Sequence, residues 1–172
     1  MKRFTGMLGS LLTVSMIASL AAAAPIPDSG KQFLLAEEPE EAADIIPLRK
    51  EVENGQEVVV AGRIGGRKNP WIKDAAAFML VDRSLTPCNE GRDSNCPTPW
   101  DYCCSPNLAR SMVLVMIIDD QGKLVRKDAR ELLGLRELDR VVVQGWARRD
   151  KSGNLSILAS RIYVNQDETA TR

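Results

Sequence analysis

The chain has 172 residues, with 23 lysines and arginines balanced by 23 aspartates and glutamates, and it contains no histidine. This length leaves room for one ordinary domain once targeting and linker segments are subtracted. The zero formal charge argues against a strongly electrostatic nucleic-acid binder. The lack of histidine excludes the Ser-His-Asp and Cys-His catalytic mechanisms.

The first residues follow the order of a secretory signal peptide. MKRF carries two positive charges, and residues 5–27 are uncharged and include the small-residue run SLAAAAP, with an A-x-A cleavage site at 21–23. We therefore predict a signal peptide over residues 1–23 and a periplasmic or secreted protein. An uncleaved membrane anchor is the alternative, because the uncharged stretch is long enough to span a bilayer. Contact with the membrane is expected only through this segment.

Residues 24–50 are acidic, rich in alanine and interrupted by four prolines. A segment with so little apolar surface is typical of a linker, although a short helix near residues 45–52 is an alternative for its end. The ordered domain is expected over residues 51–166, followed by a tail at 167–172.

From Glu57 onward, runs of apolar and β-branched residues alternate with turn signals, which is typical of an all-β domain. Five strands are predicted, at residues 57–66, 76–84, 111–119, 140–149 and 155–164. The third run is so continuously apolar that both of its faces are expected to pack. The last two runs flank DKSGN, which predicts a hairpin. Between the third and fourth runs, Asp128, Glu131 and a leucine stripe predict one short amphipathic helix at 128–138.

All four cysteines lie between the second and third strands, at Cys88, Cys96, Cys103 and Cys104. Because export permits disulfides, we favour two structural disulfides that hold this long connection in place. Disulfide geometry disfavours a bond between the adjacent Cys103 and Cys104, and the two remaining pairings stay open.

Two alternatives for the cysteines are a metal site and a redox centre. Zinc accepts four thiolates, but the spacing C-x7-C-x6-C-C lacks the C-x2-C pairs of zinc ribbons and knuckles. Cys103 and Cys104 could instead switch between a dithiol and a strained disulfide. Apart from zinc in the first alternative, no cofactor is expected.

Three strands, one helix and two further strands follow the order of the OB-fold, a five-stranded Greek-key barrel. VVVAGRIGG followed by AAFMLVDRS resembles the opening strands of OB domains of the anticodon-binding and single-strand-binding type, and the resemblance covers residues 57–164. It departs at the cysteine-rich insertion between strands 2 and 3, where most OB domains have a short turn. The chain also resembles a group of exported bacterial proteins with a similar cysteine- and tryptophan-containing loop, which implies no particular activity.

No catalytic motif stands out in the sequence. Asp82, Asp101, Asp119 and Asp120 could form an acid/base pair or a divalent-metal site, but nothing in their spacing requires one. We therefore predict a non-catalytic binding or interaction module of the cell envelope.

The OB resemblance implies a ligand site on the face of strands 2 and 3, between the loops that join strands 1 to 2 and 4 to 5. Both loops combine bases with a tryptophan, as single-strand-binding surfaces do. The candidate residues are Arg67, Lys68, Trp71, Lys73, Trp146, Arg148, Arg149 and Lys151. In the alternative interpretation, both tryptophans cap the barrel and the charges only face water. The expected partner is an envelope polymer, an anionic oligomer such as a glycan or single-stranded nucleic acid, or another protein.

Overall fold

All five predicted strands are present in the computed structural model, which describes residues 25–90 and 95–165. The predicted signal peptide and tail lie outside these residues. No helix in the described part of the chain has both the length and the apolar character that a bilayer span requires. The strands are β1 (Glu57–Ile64), β2 (Ala77–Val81), β3 (Met112–Ile117), β4 (Arg140–Arg149) and β5 (Leu155–Val164).

The strands close into a barrel in the order β1, β2, β3, β5, β4, with β4 pairing back onto β1. Only the β3–β5 pair is parallel among these described strands; the others are antiparallel. This is the strand arrangement of an OB-like Greek-key barrel, so the predicted fold class is confirmed. The hairpin at DKSGN is also present, because the Asp150 carboxylate accepts hydrogen bonds from the backbone N–H groups of Ser152 and Asn154.

Strand β3 differs from the expectation that both of its faces pack. Val113, Val115 and Ile117 point into the core, whereas the alternate residues are half-buried. An apolar run does not by itself show which face has a partner, since side chains alternate between the two faces of a strand. The second face of β3 is therefore only partly covered by the rest of the described chain.

The predicted helix lies between β3 and β4 as α3 (Ala129–Leu133). Asp128 caps it, since its carboxylate accepts a hydrogen bond from the Arg130 N–H. The helix ends before residue 138 because Gly134 adopts a left-handed conformation with φ of 70°. Leu132 and Leu133 of this helix, together with the nearby Leu135, are buried in the main core.

The structure corrects the expectation of a linker for residues 25–50. This segment contains α1 (Asp28–Lys31) and α2 (Ile45–Glu51), the second close to the helix predicted near residues 45–52. Phe33 and Ile45 are 3% and 0% exposed and belong to the barrel core. The acidic residues that suggested a linker face solvent, so the average composition concealed the few apolar residues that pack.

Backbone hydrogen bonds attach the same segment to the barrel. The Leu35 N–H donates to the Ile162 carbonyl at 2.9 Å, and Ala43 exchanges hydrogen bonds with Val59 and Ala61 of β1 at 2.9 and 3.0 Å. These bonds satisfy backbone groups that would otherwise be unpaired beside the barrel. The ordered domain therefore begins well before residue 51.

Asp82, at the end of β2, connects the barrel to α2. Its carboxylate is 1% exposed and accepts hydrogen bonds from the Ile46 N–H at 2.7 Å and from the Ser84 N–H and hydroxyl at 3.0 and 2.6 Å. Burial alone would raise the pKa of Asp82, but these hydrogen bonds outweigh it and lower the pKa below its usual 3.8. The charged form is therefore favoured in the folded protein.

This lowered pKa makes the contribution of Asp82 to stability depend on pH. The contribution is complete above the unfolded-state pKa of about 3.9 and is lost as the pH falls through the lower folded-state pKa. We expect Asp82→Asn to lower the free energy of unfolding by about 2 kcal/mol at pH 7, because charge-assisted hydrogen bonds are lost, and by less at pH 3. Urea unfolding at both pH values measures this, and an equal loss at pH 7 and pH 3 would contradict it.

Candidate functional site

The connection between β2 and β3 carries all four cysteines and lies against the end of β1. We call residues 85–110 the cysteine loop. The Gly66 N–H donates to the Trp100 carbonyl at 2.7 Å, and the Trp100 indole N–H donates to the Lys68 carbonyl at 3.0 Å. Any side chain at Gly65 would collide with the Trp100 carbonyl oxygen. Glycine at this position therefore allows the cysteine loop to approach the β1 backbone closely.

Tyr102 is the buried anchor of the cysteine loop. It is 0% exposed and packs in a small second core with Val81 and Leu138. Burial raises its pKa to about 12, so the phenol stays protonated at neutral pH. Its backbone adopts φ of 54°, a left-handed conformation that reverses the chain between Asp101 and Cys103. Such a conformation is uncommon for a bulky residue and persists only where the surrounding packing maintains it.

This reversal brings Asp101 close to three of the four cysteines. The donor atoms of Cys88, Cys96, Asp101 and Cys103 all lie within 4.8 Å of one another. The Cys88 and Cys103 sulfurs are 3.9 Å apart, and Cys104, which is outside this group, has its sulfur 3.8 Å from that of Cys103. Exposure ranges from buried at Cys88 to exposed at Cys103. We call the group of Cys88, Cys96, Asp101 and Cys103 the thiol-carboxylate cluster.

Hydrogen bonds hold the Asp101 carboxylate in the cluster. It accepts from the Thr98 hydroxyl and from the Cys103 N–H, both at 2.9 Å. Burial alone would raise the pKa of Asp101, but the hydrogen bonds from Cys103 and Thr98 lower it overall. The carboxylate is therefore ionised and oriented at neutral pH.

The redox alternative requires a reactive thiolate at Cys103 or Cys104. The hydrogen bond to Asp101, followed by those to Cys104 and Cys88, raises the pKa of the Cys103 thiol to about 12. A thiol with a raised pKa contains little of the nucleophilic thiolate at neutral pH. The redox alternative and the two disulfides favoured from the sequence both stay predictions.

A separate cleft of about 580 Å³ lies on the predicted OB ligand face, and we call it the arginine cleft. Its floor includes Met79 of β2 and Met112 of β3. The connection between β1 and β2 contributes Arg67 and the exposed Ile72, and the β4–β5 turn contributes Asn154. Arg49 of α2 completes one wall.

Positive charge is concentrated at this cleft. A second depression of about 580 Å³ is also lined by Arg49, and Lys50 and Arg110 add two further cations there. Partial burial and the neighbouring Arg149 guanidinium lower the pKa of Arg49. None of the described residues that line either depression is acidic. An anion bound there would relieve repulsion between positive charges instead of meeting a carboxylate.

The predicted ligand residues of the first loop have different surroundings in the structure. Arg67 lines the arginine cleft, and Lys68 and Lys73 are exposed on the same connection. Trp71 is 5% exposed; its indole N–H donates to Glu137 at 2.6 Å, and the Arg130 guanidinium lies 5.5 Å from its ring centre. Trp71 therefore caps the barrel and has no open face for a ligand.

The predicted residues of the second loop do not converge on the arginine cleft. Trp146 is 40% exposed but lines a different cleft of about 630 Å³, whose walls include Asp119 and Asp120. Arg149 donates hydrogen bonds to the carbonyls of Arg49, Val52 and Gly153, which is a structural role. Arg148 and Lys151 are exposed.

Sequence reasoning missed three cations of the arginine cleft and the adjoining depression, Arg49, Lys50 and Arg110. It named Asp101 only among carboxylates that could form a divalent-metal site, and did not combine it with the cysteines. Arg49 and Lys50 lay in the segment interpreted as a linker, and Arg110 follows the cysteines at the end of a short 3-10 helix, Leu108–Arg110, that the sequence analysis did not predict. Asp101 had a local signal, because it is separated from Cys103 by one residue, but its approach to Cys88 depends on long-range packing.

No protein-family profile matches the sequence, and no curated protein matches it significantly. Solved structures with a similar fold include the hypothetical protein ygiW from E. coli, with 16% identity over 74% of this chain and 94% of that chain and a TM-score of 0.37. The OBody AM1L10 bound to hen egg-white lysozyme has 15% identity over 76% and 98% of the two chains, with a TM-score of 0.39.

A third similar structure is a proposed aspartyl-tRNA synthetase from Leishmania major Friedlin, with 10% identity and a TM-score of 0.41. The match covers 83% of this chain and 23% of that one. Likenesses at this level carry no functional argument. The OB-like assignment follows from the strand order and pairing of the barrel itself.

Proposed function

We propose that the protein is an exported, non-catalytic OB-like module that binds an extended anionic ligand in the arginine cleft. The observation that carries this proposal is the set of four cations on two adjoining depressions whose described lining contains no carboxylate: Arg49, Lys50, Arg67 and Arg110. Arginine is well suited to this task because its planar guanidinium can donate paired hydrogen bonds to sulfate, phosphate or carboxylate groups.

The lining of the arginine cleft favours recognition of charge over recognition of bases. None of its described lining residues is aromatic, whereas sequence-tolerant binding of single strands uses aromatic side chains on which bases stack. Ile72, Met79 and Met112 instead offer aliphatic surface between the cations. Aliphatic side chains can pack against the C–H faces of sugar rings while the cations bind the charged groups, so a sulfated or carboxylated glycan fits the cleft better than a nucleic acid.

Export supports the choice of an envelope ligand. The signal-peptide features of residues 1–23 would deliver the chain to a compartment where anionic glycans and other envelope polymers are available. A protein partner with an acidic surface is the second candidate, because the same cations would bind surface carboxylates.

The test uses the full mature chain and two anionic probes, a sulfated oligosaccharide of the heparin type and an oligothymidylate of similar charge. We expect the oligosaccharide to bind more tightly, and its affinity to fall as salt concentration rises. Arg67→Ala should weaken binding about tenfold, since a charge-assisted hydrogen bond contributes roughly 1.5 kcal/mol. Arg110→Ala should have a similar effect. Fluorescence anisotropy at several salt concentrations measures both.

Arg126→Ala is the matched control, because Arg126 is exposed and is not among the residues that line either depression. It should leave affinity within about twofold of the wild type, as expected for a charge distant from the ligand. Equal weakening by all three variants would mean that the probes sense overall charge, and the arginine cleft would not be the site. Tighter binding of oligothymidylate would favour the single-strand interpretation.

A further inference from the structure

We propose that Cys88, Cys96, Asp101 and Cys103 bind one thiophilic divalent metal ion of the zinc class. This inference is independent of the arginine cleft and of the proposed ligand. It differs from the four-thiolate site considered from the sequence, because the structure replaces Cys104 with the Asp101 carboxylate.

The spacing of the donor atoms suits a tetrahedral ion. Zinc–sulfur bonds of about 2.3 Å place two sulfurs on one ion about 3.8 Å apart. The Cys88 and Cys103 sulfurs are 3.9 Å apart, and all four donor atoms lie within 4.8 Å of one another. Small side-chain rotations would bring the more distant pairs to the edge length of the tetrahedron.

The composition of the cluster also points to a metal. Three sulfurs and one carboxylate oxygen supply four protein ligands, the number found in a closed structural zinc site. A carboxylate has no part in a disulfide, yet Asp101 is held toward the sulfurs by the Thr98 hydroxyl and the Cys103 N–H. Metal-binding carboxylates usually have such outer hydrogen-bond partners.

The surroundings of the cluster can support the charge of a bound ion. Three thiolates and a carboxylate would leave a net negative charge on a divalent ion, and the Lys68 ammonium interacts electrostatically with Asp101. Tyr102 lies between Asp101 and Cys103 in the sequence, and its buried side chain holds the backbone of both proposed ligands in place. Binding would displace the thiol protons, as thiolate coordination requires.

A metal ion at this position would connect the two ends of the cysteine loop. Cys88 lies at its start, and the Cys88 N–H already donates to the Pro99 carbonyl at 3.1 Å. Cys96 lies near its middle, and Asp101 and Cys103 lie in its second half, where the Trp100 carbonyl accepts a hydrogen bond from the Gly66 N–H just after β1. We infer a structural ion that holds the cysteine loop against the barrel.

In the first experiment, the full chain is purified without chelator and its native and denatured masses are compared. Elemental analysis measures its metal content. We expect one zinc ion per chain, released on denaturation, with four thiols that then react with an alkylating reagent. Replacement by Co²⁺ should produce sulfur-to-cobalt charge-transfer absorption. Two disulfides in the purified chain, or four thiols that take up no zinc on titration, would overturn the proposal.

Variants then distinguish this ligand set from other sets. Cys96→Ser and Asp101→Asn should each lower zinc affinity, the first by more than about a hundredfold, because a lost ligand costs more than the 10–100-fold typical of an outer partner. Cys104→Ser is the matched control and should retain zinc with unchanged affinity. Loss of zinc in Cys104→Ser together with full retention in Asp101→Asn would assign the ion to the four cysteines and overturn the proposed set.

Discussion

Gly145→Ala should lower the free energy of unfolding by about 3 kcal/mol, the upper range for overpacking a well-packed interior. Gly145 lies in β4 where the pairing with β5 shifts register, after Gln144. A Cβ atom at this position would overlap the Leu158 carbonyl oxygen and lie 2.8 Å from the Ala159 Cα. Both contacts are with backbone atoms, so the overlap could be removed only if β4 and β5 moved apart at this shift in register.

Gly122→Ala provides the comparison for this effect. Gly122 has φ of 74°, and a Cβ atom added there would meet no atom within 4 Å, so alanine encounters only the cost of a left-handed backbone. That cost is about 1 kcal/mol. Urea unfolding of both variants separates the steric effect from the conformational one. If Gly145→Ala is no less stable than Gly122→Ala, the close contact between β4 and β5 is not present in solution.

Phe33→Ala should lower the free energy of unfolding by about 4 kcal/mol, as expected for deleting a buried aromatic ring. Phe33 is 3% exposed, and its carbonyl accepts a hydrogen bond from the Ile162 N–H of β5 at 2.8 Å. Removal of the ring would leave a cavity beside the barrel that the surrounding strands can fill only partly. The effect is large because Phe33 belongs to the barrel core.

Glu37→Ala, in the same segment, is the matched control for Phe33→Ala. Glu37 is exposed, and surface substitutions of this kind usually change stability by less than about 0.5 kcal/mol. Thermal or urea unfolding of the mature chain measures both variants. A linker would tolerate both substitutions equally, so a small effect of Phe33→Ala would restore the interpretation made from composition.

Local patterns predicted the barrel well because strands and turns are encoded by neighbouring residues. The apolar run of β1, the alternation in β5, the Asp150 turn and the Asp128 cap each depend on a few adjacent positions. The composition of residues 25–50 gave the wrong interpretation because burial there depends on distant residues. Whether an isolated residue such as Phe33 is buried depends on a strand, β5, that lies more than 100 residues later in the chain.

The candidate sites likewise combine features that adjacent residues predict with features that depend on distant contacts. The loop positions expected in an OB domain predicted Arg67, but the convergence of Arg67 with Arg49 required α2 to pack beside β3. The tryptophans of the two loops had the same local signal, yet Trp71 is buried against Glu137 and Trp146 is exposed on another cleft. A residue's type does not determine which surface it shares with distant residues.

Adjacent residues encode the five strands, the capped helix and the signal-peptide pattern, so each could be predicted from short stretches of the chain. The packing of residues 25–50 on the barrel, the four cations on adjoining depressions and the approach of Asp101 to three cysteines are visible only in the folded chain. These arrangements arise from contacts between segments far apart in the chain, whose geometry is set when the barrel closes and Tyr102 is buried.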